Sequence, residues 1–254
     1  MDTGSIWTSK EFWSAFIRYG ASKELLFIVS ALIFLVLCWG MIKPRKLGVI
    51  ADAIDSTVSK IGRIIAWLAL LMVIQQVLVV FMQAIFKQSS MSLGPFLPDF
   101  GATPQWFSEE LRLYNALLIV LGTGYTMVEG GHVRVDLIYG GLKHRSKRIL
   151  DLIGACVLLV PFTLVLWYFS WFYMWRSISS SSVNLSRDMI KFRNWKLESS
   201  SNPSGFDDVY LFKILIPVFA LVMFVQAISI IFRSIASLRD KTYLQSLPEP
   251  SSGH

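Results

Sequence analysis

The sequence predicts an all-α fold, an integral membrane helical bundle, and three observations carry that expectation. Of 254 residues, 54% are hydrophobic and only 16% are charged, with a mean hydropathy of +0.55, whereas a soluble domain carries about a quarter charged residues. The apolar residues arrive in five charge-free blocks near the length of a bilayer span. Lysine and arginine collect in alternate connections between those blocks. Such hydrophobicity excludes disorder for most of the chain, and the uninterrupted blocks exclude a single water-soluble core.

A spanning helix needs about 17–25 apolar residues, because each adds about 1.5 Å across a hydrocarbon core of about 30 Å. The first block runs from Leu25 to Ile42 and is closed by Lys43, Pro44, Arg45 and Lys46. Acidic Glu11 and Glu24 ahead of it, the lack of a small-x-small cleavage site behind it and the basic stop read as a retained helix, not a secretory signal. The second block lies between Arg63 and Lys87, the fourth between Asp151 and Arg176, and the fifth between Lys213 and Arg233. The third, between Arg112 and Glu129, holds 16 residues and is expected to thin the bilayer or to snorkel Arg112.

Between the first two blocks the period changes. Ile50, Ile54, Val58, Ile61 and Ile65 recur at steps of three and four, while Asp52, Asp55, Ser56, Ser59, Lys60 and Arg63 fall opposite. This pattern predicts an amphipathic interfacial helix, lying flat among headgroups or docked on a partner.

Residues 43–63 hold five Lys and Arg, residues 87–110 hold one, and residues 129–148 hold five. Short cation-rich loops stay cytoplasmic, which predicts an outside N-terminus and a cytoplasmic C-terminus. The loop from Arg176 to Lys213 runs against the trend with six cations, but long loops obey the rule less strictly. Trp167, Tyr168, Trp171, Tyr173 and Trp175 crowd what this frame makes the outer end of the fourth span, where amphipathic rings favour the interface. The net charge of +7 therefore reads as topology and lipid contact, not as a nucleic-acid surface. Cys38 and Cys156 both fall inside apolar blocks and are expected as buried thiols.

The residues available for chemistry are few. In the run from Glu129 to Tyr139, His132 and Asp136 sit four apart, which would share a helix face, but no second ligand pair lies near and the chain has three histidines. A metal site needs three or four ligands, so neither a metal nor a cofactor is expected. Gly130 and Gly131 fit a helix break at the membrane edge, and neither GxGxxG nor Walker spacing is present. Glu109 and Glu110 read as acids at a helix start capped by Ser108, or as cation ligands. Gln75, Gln76, Gln83, Asn115 and Gln226 lie inside spans, where amides serve as interhelical hydrogen-bond glue. Three readings stay open on these residues alone: a non-catalytic subunit of an assembly, a membrane-embedded enzyme using His132 and Asp136, and an autonomous carrier.

The run Gly131-His132-Val133-Arg134-Val135-Asp136 after a short span resembles the hallmark of the small permease subunit of TRAP (tripartite ATP-independent periplasmic) transporters. The span start Trp106-Phe107-Ser108-Glu109-Glu110-Leu111, the stretch from Trp195 to Pro217 and the amphipathic segment before Arg63 are similar to that family too, so the likeness covers about residues 50–240. The resemblance implies four core transmembrane helices, and Leu25–Ile42 departs from it as an extra N-terminal one. It divides the chain into residues 1–48, a membrane domain at 49–240 and a flexible tail at 241–254. The loop from Ser89 to Pro104 is longer than the family norm. A bacterial inner-membrane subunit is implied, acting as a stator for a large permease subunit that takes up an organic acid on a cation gradient, after delivery by a periplasmic binding protein. Glu110, Gly131, His132, Arg134 and Asp136 are then family-motif or assembly residues, with no catalytic role.

Overall fold

The computed structural model describes residues 10–42, 44–85, 104–129, 144–179, 182–184, 189–191, 194–199 and 208–239. It is the expected helical bundle, with four helices long and apolar enough to cross a membrane: Pro44–Phe81, Trp106–Val128, Arg145–Ile178 and Val209–Arg239.

An element absent from the sequence reading comes first. α1 (Lys10–Gly20) is amphipathic, with Glu11 in its first turn and Arg18 in its last, both placed to complement the helix dipole. It ends at Gly20, and the backbone N–H of Leu25 donates to Ser22 Oγ at 3.1 Å, so Ser22 caps the start of α2 (Lys23–Ile42). α2 has 20 residues, or about 30 Å of helix.

α3 (Pro44–Ala84) is one helix of 41 residues. The amphipathic segment is helical as expected, but it is the first half of the second span's helix and not a separate element. Proline at the first position supplies a pre-set φ where no intrahelical N–H bond is needed, and no proline follows before Ala84 to break the ladder. The face turned into the bundle is not the apolar stripe. Leu47, Ala51, Asp55 and Ser59 are buried, whereas Ile50 and Ile61 of the apolar stripe are exposed.

α4 (Pro104–Val128) has 25 residues, about 37 Å, so the short apolar block is not a short helix. It starts at Pro104, four residues before Ser108, and Ser108 is therefore inside the helix and not its N-cap. It ends with the N–H of Glu129 on the carbonyl of Tyr125, just ahead of the glycine pair.

α5 (His144–Gly154) runs into a π-helical turn at Ala155–Leu159 and on into α6 (Val160–Ile178). Pro161 has no N–H and crowds the preceding turn, and a widened i→i−5 turn, with Val160 N–H on the Ala155 carbonyl, relieves that conflict. Beyond α6, β1 (Ser182–Asn184) and β2 (Met189–Lys191) form an antiparallel pair.

α7 (Val209–Arg239) is the most enclosed helix and touches α2, α3, α4, α5 and α6. Its buried positions are rich in small residues, among them Ala220, Ala227, Ser229, Ser234, Ala236 and Ser237, which let helix backbones approach closely. One end gathers α1, the start of α7 and the tryptophans of α6. The other gathers the start of α3 and the end of α7 around Arg233. These are called the tryptophan end and the arginine end below.

Cys156 corrects an expectation. It is exposed on the bundle surface, because the π turn aims it outward; Cys38 has a side chain outside the described residues.

Candidate functional site

Among the described residues, polar groups set within or beside the spans form three clusters that cross-link helices. At the arginine end, Arg233 of α7 pairs with Asp55 of α3 and reaches Asp52 at 3.1 Å. Asp55 also accepts a hydrogen bond from Ser229 Oγ at 2.7 Å. Asp55 and Asp52 lie three apart on α3, and Ser229 and Arg233 four apart on α7, so each pair shares one helix face. Serine beside carboxylate is a nucleophile's setting in form only, because Ser229 is 1% exposed and closed to any substrate.

Between α3 and α4, Glu110 accepts hydrogen bonds from Gln75 Nε2 at 2.8 Å and from the Tyr114 hydroxyl at 2.5 Å. These contacts make Glu110 an interhelical acceptor, a third role beside the helix-start acid and the cation ligand expected above. Gly62 makes this seam close: a Cβ there would lie 2.4 Å from Cβ of Tyr125. Gln226 is 1% exposed on α7, and its Nε2 meets no acceptor among the described residues.

At the tryptophan end Glu198 ties three elements together. It pairs with Lys213 at the start of α7 and accepts from Ser177 Oγ at 2.6 Å at the end of α6. The Lys213 ammonium also sits 4.7 Å from the Tyr173 ring centre. The hydrogen bonds from Lys213 first and Ser177 second hold the Glu198 carboxyl below its ordinary value of 4.5, against a smaller opposing effect of burial.

Nearby, α1 is held by tryptophans. Trp171 Nε1 donates to the Ile17 carbonyl at 2.9 Å and Trp167 Nε1 to the Gly20 carbonyl at 3.0 Å, satisfying acceptors that a helix C-terminus leaves open. Trp13 meets Trp195 edge-on at 4.9 Å, and Ile17 is fully buried against Trp175. Part of the aromatic belt thus fixes a helix. A Cβ at Gly20 would fall 2.2 Å from the Trp171 ring, so this approach requires glycine. The signal for α1 was in the sequence: Phe12, Trp13, Phe16 and Ile17 recur at helical spacing.

Gly131, His132, Arg134 and Asp136 lie outside the described residues, as do Gly130 and the loop up to Lys143. Among the described residues no group of three or more His, Cys, Asp or Glu could hold a metal ion.

These features define a multi-pass helical membrane protein whose described ionic groups at the helix contacts are engaged with one another. A family comparison makes the assignment finer. Residues 96–237, more than half of the chain, match the model of the DctQ component of tripartite ATP-independent periplasmic transporters, and the chain belongs to that family. It is a small membrane subunit of such a transporter, and the tripartite assembly implies partner subunits. The match begins after α3, so the amphipathic likeness at residues 50–65 lies ahead of it. No curated protein and no solved structure matches the chain.

Proposed function

We propose that this subunit is the fixed brace of its transporter, docked on a large permease subunit through the face shared by α3 and α4. One observation carries the reading. Gln76 of α3 and Asn115 and Arg112 of α4 are exposed on that face, two to three turns inside the helix ends, around a cavity of about 440 Å³ with Met72 and Val77. Hydrocarbon offers an amide no hydrogen-bond partner, and each unsatisfied group costs several kcal/mol there. Polar groups facing outward at this depth are accounted for by a neighbouring protein helix that pairs with them. The cross-links at Glu110, Asp55 and Glu198, by contrast, join this chain's own helices, as a rigid frame needs.

In this reading the solute and coupling-ion sites belong to the large subunit, a periplasmic binding protein delivers an organic acid, and a cation gradient drives uptake across the bacterial inner membrane. The tryptophan end faces the periplasm and the arginine end the cytoplasm, following the cation-rich residues 43–63 and 129–148. α2 is an additional span, and residues 1–48, 49–240 and 241–254 are the working divisions of the chain. Gly131, His132, Arg134 and Asp136 contribute to assembly on the cytoplasmic side.

Affinity purification of the tagged chain in mild detergent tests the docking. A much larger multispan protein is expected to co-purify, and Gln76→Leu with Asn115→Leu is expected to lower its recovery about tenfold, two interhelical bonds contributing about 0.6–1.7 kcal/mol each. Recovery of the chain alone, or recovery indifferent to both changes, contradicts the reading.

A further inference from the structure

The helices ahead of the family-matched region build a site of their own. α1 turns into α2 at Ala21 and Ser22, and this elbow lies against α6. Between them is a cavity of about 760 Å³, lined among others by Phe16, Arg18, Lys23, Glu24, Tyr168 and Phe172. That volume is in the range of ligand sites, about 300–1,000 Å³. Arg18, Lys23 and Glu24 are exposed and form no ion pair with any described residue, so both signs of charge are available at its mouth.

A second void continues the pattern inward. One turn deeper on both helices, Leu25 and Val29 of α2, Leu164 of α6 and Phe224 of α7 border a void of about 140 Å³ with an almost wholly apolar lining. Trp167, whose N–H bonds the end of α1, also borders it. The seam between α2 and α6 therefore has a charged mouth, aromatic walls and an apolar floor, at the level where tryptophan marks the membrane interface.

Few ligands use all three zones. A free anion has no use for the aromatic walls, and a soluble solute has none for the apolar floor. We infer that this seam binds one zwitterionic glycerophospholipid. Arg18 and Lys23 take the phosphate, Glu24 takes the headgroup amine, and an acyl chain runs past Tyr168 and Leu164 toward the deeper void. Phosphate with cationic side chains makes charge-assisted hydrogen bonds, and the apolar floor gives an acyl chain close dispersion contacts. The lipid becomes the packing partner that fills this side of α2. The inference needs only the chain's membrane placement, and stands apart from the bracing role.

Native mass spectrometry of the full chain in mild detergent tests it, with dioleoyl-phosphatidylethanolamine, dioleoylglycerol and inorganic phosphate as separate probes. One phosphatidylethanolamine per chain should be retained saturably, with dioleoylglycerol about tenfold weaker and phosphate not competing. The double change Arg18→Gln with Lys23→Gln, at exposed positions, should lower retention about tenfold, as should Leu25→Trp, which fills the deeper void. Absence of saturable retention by the unmodified chain, equal retention of dioleoylglycerol, displacement by phosphate or indifference to both variants would overturn it. If a variant loses its helical circular dichroism, the titration of the unmodified chain decides alone.

Discussion

Asp55 and Arg233, on the first long helix of the bundle and on its central one, are ion-paired at the arginine end, with Ser229 Oγ donating to the same carboxylate at 2.7 Å. Asp55 is 7% exposed, so these partners, and not solvent, satisfy its oxygens. Asp52, which meets the same arginine, has a half-exposed side chain. Removing one partner of a buried pair costs about 3–5 kcal/mol, while an exposed pair contributes about 0–1 kcal/mol. Arg233→Ala should therefore cost about 3 kcal/mol and Asp52→Ala less than about 1 kcal/mol. Thermal unfolding in detergent, followed by circular dichroism, checks the ranking, and equal losses would contradict it.

The close crossing of α3 and α4 gives a steric prediction. Any side chain at Gly62 would overlap Tyr125, whose Cβ is 2.4 Å from the position a Cβ would take. Overpacking costs about 1–3 kcal/mol, so Gly62→Ala should lower the unfolding midpoint. Gly62→Val should lower it further, and Tyr125→Gly, which removes the opposing Cβ, should restore part of the loss in the Gly62→Ala chain.

α1 is latched by indole hydrogen bonds that can be removed without removing the rings. Trp171→Phe deletes the bond to the Ile17 carbonyl, worth about 1 kcal/mol net. Hydrogen exchange in residues 10–20 should accelerate about fivefold, with the α3–α7 contact unaffected. Unchanged protection of α1 would show that ring packing alone retains it.

The spans were legible because bilayer crossing demands long charge-free blocks, and α3, α4, the run from α5 into α6, and α7 each hold one. The unity of α3 was less so: its two halves have different apolar patterns, although both are helical and nothing between Leu47 and Ala84 breaks the backbone. α1 escaped because 11 residues flanked by charges resemble the edge of a span. The pairing of Asp55 with Arg233 and of Glu198 with Lys213 was out of reach, since each joins residues whose proximity exists only once the helices pack. Glu110 was singled out, and Tyr114 four residues on is within helical reach of it, but its partner Gln75 follows from the α3–α4 register.

The junction at Glu198 carries a pH dependence. Its carboxyl is held below 4.5 by Lys213 and Ser177. A depressed folded-state value stabilises above the unfolded value and is lost as pH falls through the folded one. The α6–α7 junction should thus be intact above pH 4.5 and loosen below it. Glu198→Gln should remove that step while leaving the rest of the acid response. Stability of the two chains measured from pH 6 to pH 3 checks this, and parallel curves would contradict it.

The central claim is that this subunit braces a transporter and moves no solute itself. Uptake into proteoliposomes under an inward sodium gradient tests it most directly, with organic acids supplied through the cognate binding protein. The chain alone should give no uptake above empty vesicles, and uptake should appear only when the large subunit is reconstituted with it. Gradient-driven accumulation by the chain alone would contradict the account.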